Sequence, residues 1–217
     1  MKSRIEIKAQ ARSSFAAQRS TGILLVLLFV VIFGAVGALS RIVVGGIGVA
    51  LVIPVIAIGM SWGFLKLYRG EHTEIGVLFS KFSGSYARCL GGYWWMMLFT
   101  WLWSMLFVIP GIVKEYAYRM TPYILADCPD VPAKEALRLS MKMTKGHKGA
   151  LFVNDLSFIG WFILAGVTAM ILGVVYVMPY YYATQAGFYT ELRDEALRTG
   201  VITPAELGMN GDNRWAS

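Results

Sequence analysis

The residues able to do chemistry in this chain are few, and they sit in apolar surroundings. Lys114, Glu115 and Arg119 lie in a stretch that otherwise reads as a spanning helix. Asn154 and Asp155 lie near the start of another apolar run, and Asp127 falls between the two. Ionisable groups at membrane depth are expensive, face the interior of a bundle and mark candidate sites. Arg119 stands eight residues past Gly111, which at 1.5 Å per residue is ~12 Å from the outer turn expected there. Glu115 is one turn earlier on the same face, at the i, i+4 spacing of an ion pair. Lys114 is close enough to the turn to snorkel outward. Asp155 either meets Asp127, Asn154 or a lysine of the preceding amphipathic segment, or accepts backbone N–H groups at a helix start. The chemistry open to this set is a structural ion pair or a polar pathway for a solute or proton. Tyr116, Tyr118, Tyr123, Tyr180, Tyr182 and Tyr189 line such a pathway or pack with their hydroxyls satisfied.

Bond-making chemistry is not readable. Cys89 and Cys128 form no CxxC and His72 and His147 form no HExxH, so no catalytic, metal or cofactor residue is expected. An enzyme acting on lipid would need a nucleophile or paired acids at one depth, and none is arranged so. The Gly45-Gly46-Ile47-Gly48 stretch resembles a phosphate loop only superficially. It lacks the strand before it and the Lys-Ser/Thr after it, and reads as close helix packing or a frayed helix start.

The elements that must position these groups follow from composition. Of 217 residues, 57% are hydrophobic and 15% charged, against roughly a quarter charged in an ordinary soluble domain. The mean hydropathy is +0.58. Seven Trp, 11 Tyr and 12 Phe exclude a disordered chain. The expected fold is all-α, a polytopic membrane helix bundle of about six spans in three hairpins, each preceded by a cytoplasmic interfacial amphipathic helix. Apolar runs cover 22–39, 42–65 (interrupted by Pro54) and 90–109, where Pro110-Gly111 marks a turn. A short polar helix follows over 112–127. Then come 151–172, a break at Gly173, and 174–192 bent at Pro179. A cleaved signal peptide does not fit, because the basic and apolar regions of the N-terminus are both too long.

Seventeen of the 20 Lys and Arg residues fall in the N-terminal arm, the connections between spans two and three and between four and five, and the C-terminus. That bias predicts both termini cytoplasmic in a multi-pass cell-membrane protein. The amphipathic segments recur before each hairpin. Arg4, Lys8 and Arg12 stand beside the row Ile7, Ala11 and Phe15. Ile75, Leu78, Phe79 and Phe82 follow helical spacing. Lys134, Arg138, Lys142 and Lys145, with Lys148 beyond, make a basic stripe beside Ala133, Ala136, Leu137 and Met141, with Pro132 and Glu135 at the helix start. This suggests a single membrane domain over 1–198 with repeats at 1–70, 71–129 and 130–198, and a flexible cytoplasmic tail over 199–217. The basic helices are expected to pack on anionic lipid of the inner leaflet, at ~1 kcal/mol per cation. Docking to nucleic acid is not expected, because the cations adjoin apolar spans.

Ile109-Pro110-Gly111-Ile112, Tyr118, Pro122-Tyr123-Ile124-Leu125-Ala126-Asp127, Lys134-Glu135-Ala136-Leu137 with Ser140, and Lys145-Gly146-His147-Lys148 form a recognisable series. So do Leu156 to Trp161, Pro179-Tyr180 with Thr184, Ala186 and Phe188-Tyr189, and the earlier pieces Gly63-Phe64, Arg69-Gly70-Glu71 and Leu78-Phe79 with Phe82. On these the chain resembles domain-of-unknown-function family nine-seven-five over about residues 1–195. Cys128 before Pro129 departs from the polar residue expected there. The resemblance implies an uncharacterised bacterial inner-membrane protein with several spans. It also implies a distant likeness to the membrane domain, not the catalytic one, of some glycerophosphodiester phosphodiesterases.

The expected function is a structural or regulatory component binding lipid, a membrane partner or a second copy of itself. The alternative is a small solute or ion transporter or channel using the polar groups of spans four and five. An open polar cleft around Arg119 favours transport, whereas a filled core favours the first reading.

Overall fold

The computed structural model of the chain describes residues 2–43, 47–106, 108–167 and 171–209. Helices form nearly all of it. They run α1 (Arg4–Ala17), α2 (Arg19–Val43), α3 (Ile47–Tyr68), α4 (Tyr86–Leu106), α5 (Val108–Tyr118), α6 (Thr121–Asp127), α7 (Ala133–Thr144), α8 (Lys148–Val167) and α9 (Met178–Arg198). Short 3-10 turns occupy Ile75–Phe79 and Pro204–Leu207, and a π turn over Gly173–Val177 runs straight into α9. Gly45 and Gly46 lie outside the described residues.

Three segments are long and apolar enough to cross a membrane: Arg19–Ala38, Val49–Tyr68 and Lys148–Gly166. The other expected spans fall short for identifiable reasons. The apolar area of α4 comes largely from Trp and Tyr, which carry polar tips. The 11 residues of α5 cover about 16 Å, half the hydrocarbon thickness. In α9, Thr184 and Gln185 lie among the tyrosines, and a charged stretch from Glu191 to Arg198 follows Tyr189.

α3 is the axis of the bundle. Its candidate segment is 61% buried, against 17% for α2 and 22% for α8, as fits a helix that is apolar on every face. Pro54 gives the Ala50 carbonyl no helical donor, and the Trp94 indole N–H of α4 donates to that oxygen at 3.1 Å. This is the repair by a neighbouring helix that a proline in such a helix requires. At Gly59 a Cβ would lie 2.3 Å from the Leu78 carbonyl oxygen, so the backbone of the turn at Ile75–Phe79 rests directly on α3. The second amphipathic segment is therefore a single 3-10 turn and not a helix. Leu78 is buried, but Ile75 and Phe79 are exposed, because side chains of a full helix would stand between the two backbones.

Pro110 and Gly111 lie inside α5 rather than at a turn. Pro110 takes the third position of the helix, where an N–H has no intrahelical acceptor. Gly111 lets the two helices touch, since a Cβ there would lie 2.4 Å from the Ser104 hydroxyl of α4. The single helix expected over 112–127 is split at Arg119 and Met120. Pro122 cannot donate to the preceding turn, and α7 repairs the gap. Its Ser140 hydroxyl accepts the Met120 N–H at 3.2 Å and donates to the Ala117 carbonyl at 2.8 Å. Gly173 likewise starts a π turn instead of breaking the chain. The wider turn relieves the crowding that the Pro179 ring imposes on the turn before it.

A reciprocal capping box between Ser3 and Glu6 starts α1, and its buried row is Ile7, Ala11 and Phe15. It docks lengthwise on α9, from the Lys2–Glu191 ion pair at 3.0 Å to Phe15 against Tyr176. Gly187 permits the approach, because a Cβ there would lie 2.8 Å from Ile7 and 2.7 Å from Tyr68. Within the segment expected to be a flexible tail, the turn at Pro204–Leu207 is capped by Thr203, and Ile202 and Leu207 are buried. Residues 210–217 lie outside the described residues.

Candidate functional site

The break between α5 and α6 aims Arg119 at α8. Asp155 there accepts hydrogen bonds from Arg119, from the Tyr116 hydroxyl at 2.9 Å, from the Tyr181 hydroxyl at 3.1 Å and from Gln185 Nε2 at 3.2 Å. The Arg119 guanidinium also lies 4.3 Å from the Tyr116 ring centroid and 3.4 Å from Glu115. The i, i+4 pair is thus present, but the stronger partner is Asp155, not one of the residues expected for it. Asn154 points elsewhere. It is fully buried, and neither of its side-chain amide atoms has a hydrogen-bond partner among the described residues.

Beside this cluster a cavity of about 440 Å³ is lined by Ser61, Thr100, Glu115, Arg119, Tyr182 and Gln185, among others. Gln185 is 4% exposed, and its Oε1 has no hydrogen-bond partner among the described residues. The orientation of this amide is forced, because a flip would set its carbonyl against the Asp155 carboxylate. The Glu115 side chain is 58% exposed. The arrangement presents fixed acceptors and a neutralised guanidinium to the cavity.

Asp127 belongs to a second, closed cluster. Arg69 at the end of α3 grips it with two hydrogen bonds of 2.9 Å, Arg193 of α9 reaches Oδ2 at 3.1 Å, and the Tyr189 hydroxyl donates at 2.9 Å. The carboxylate is 1% exposed. The adjoining end of α6 is capped from another element. Arg88 donates to the carbonyls of Leu125, Cys128 and Val131, and Lys81 to that of Ala126 at 2.6 Å. Burial pulls the Lys81 ammonium below its ordinary pKa. From sequence, Lys81, Arg69, Arg88 and Arg193 are only orienting charges. Their one readable signal is position at the ends of apolar runs.

Many of the basic residues make contacts within the chain. Lys8 donates to Ser157 and lies 4.4 Å over Phe158, and Arg12 lies 5.5 Å over Tyr180. Arg138 pairs with Glu135 at 2.8 Å and Lys142 with Glu206 at 2.5 Å. The Lys142 hydrogen bond, then the Thr203 backbone, hold the Glu206 carboxyl down at about 2. Arg4 and Lys145 are exposed, and Lys148 is half-buried. Lys134 lies 5.0 Å over Trp95, and Lys114 lies 4.9 Å over Trp103. Lys114 and its neighbour Glu115 thus line different cavities.

Residues 93–196 match a family described as protein of unknown function (DUF975). The earlier stretches of resemblance lie outside that match. No curated protein and no solved structure matches the chain.

Proposed function

We propose, starting from the match of residues 93–196 to the DUF975 family, that the chain is a multispanning membrane protein that binds a small polar solute in the Arg119 cleft, the binding step of a transporter. Three hairpins enter the bilayer, with both termini on the cytoplasmic side. Exposed apolar side chains are concentrated on α2, on α4 from Trp94 to Met105, on the first turns of α5 and on α8. The short α5 limb brings the second hairpin only part-way across. The inner ends of the helices, with α1, α6, α7 and α9, form the polar body.

One observation carries the solute reading: the cavity beside Arg119 holds an unpartnered buried acceptor, Gln185 Oε1, and an exposed carboxylate, Glu115. A saturated Arg119–Asp155 pair favours the competing reading, a structural or regulatory membrane component. Cysteine labelling separates the two. Cys89 and Cys128 are buried and serve as a silent background. Ser61→Cys and Thr100→Cys are expected to react with a membrane-impermeant thiol reagent, while Leu102→Cys on the apolar surface stays unlabelled. Unreactive cysteines at both cavity positions would reject the solute reading.

A further inference from the structure

Lys114, Lys134 and Arg138, which come from two distant stretches of chain, meet on one groove. It has a volume of about 450 Å³, lies between α4, α5 and α7, and is walled by Trp95, Phe99 and Trp103. Phe99 and Trp103 are also walls of an adjoining apolar hollow of about 540 Å³ that continues to Leu102 and Met105. Cations therefore gather at one end of a continuous groove and bare hydrocarbon surface at the other, where Met105 is 67% exposed. The carboxylates near the charged end are Glu135 and Glu206, and both are engaged by Arg138. Lys134 and Lys114 are held over indole rings, an arrangement that keeps their ammonium groups facing the groove.

We propose that this groove is a binding site for one anionic phospholipid, with its phosphate between Lys114, Lys134 and Arg138 and an acyl chain along Phe99, Trp103 and Met105. Lys114 and Lys134 supply the charge that matches a phosphate, with Arg138 beside them already shared with Glu135 and Glu206, and the apolar continuation matches a tethered chain and not a free ion. The rise from Trp95 to Met105 is about 15 Å, the hydrocarbon depth of one leaflet. This site is separate from the Arg119 cleft, since the two share no lining residue, and it stands whether or not that cleft takes a solute.

Native mass spectrometry of the full chain, purified in mild detergent and supplied with phosphatidylglycerol or phosphatidylcholine, reads the site directly. The expected result is retention of phosphatidylglycerol about tenfold over phosphatidylcholine, falling to near parity in Lys114→Gln/Lys134→Gln and unchanged in Lys145→Gln. Equal retention of the two lipids by the unmodified chain overturns the proposal. So does a preference that survives the double substitution. Thermal stabilisation by inorganic phosphate as large as that by phosphatidylglycerol overturns the lipid assignment. If the double variant does not fold, brominated phosphatidylglycerol decides. It is expected to quench indole fluorescence of the unmodified chain and to quench Trp103→Phe less, whereas equal quenching of the two overturns the proposal.

Discussion

Replacing Asp127 by Asn leaves two guanidinium groups facing a neutral amide in a site closed to water. Breaking a buried pair by neutralising one member costs about 3–5 kcal/mol, because the remaining charge loses its compensation. Asp127→Asn is expected to lose that much stability in chemical unfolding of the detergent-solubilised protein. A loss below ~1 kcal/mol would show that the cluster does not hold the fold together. Spacing along the chain could never reveal this group, since Arg69 and Arg193 stand 58 and 66 residues from the carboxylate. The Arg119–Glu115 pair was legible because helical geometry sets it locally. Asp155, the stronger partner of Arg119, is 36 residues away and was legible only as an ionisable residue needing some partner.

At the scale of elements, the amphipathic row of α1 and the need for a donor at Pro54 could be read from pattern alone, because both follow from helix geometry. The split of the fourth helix could not. It depends on Pro122 and on Ser140 arriving from α7, a tertiary partner. The docking of residues 199–209 was hidden for the same reason: a sequence rich in Gly, Pro and polar residues gave no sign of Glu206 meeting Lys142. That contact carries a pH dependence. With its folded pKa depressed to about 2, Glu206 strengthens docking fully above its ordinary value of 4.5. The contribution fades as pH falls toward the folded value. Hydrogen exchange over residues 199–209 is expected to accelerate as pH falls from 5 to ~2, beyond the intrinsic pH trend. Glu206→Gln should show that acceleration already at neutral pH. Identical protection in both proteins at neutral pH would rule out this latch.

Over the whole molecule, the high apolar content comes with three helices long and apolar enough to cross a membrane, which is why composition revealed a helical class compatible with membrane association before any contact was known. The number and depth of crossings depend on how α5 and α9 pack, and composition carries no such information. In intact cells, cysteines introduced in connections 72–85 and 129–147 are expected to resist an impermeant reagent, whereas the connection after Val43 is labelled. The reverse pattern would invert the orientation. The Asp127 cluster also sets an order of assembly. Arg69, Asp127 and Arg193 follow one another along the chain, just past α3, at the end of α6 and within α9, and the chain is synthesised from its N-terminus. The Arg69 clasp can close once α6 exists, while the same carboxylate still lacks its bonds from Tyr189 and Arg193. The last helix therefore arrives at a half-filled receptor. A chain that stops before Tyr189 keeps the first clasp but leaves the second open, so completeness of synthesis is recorded at a single carboxylate.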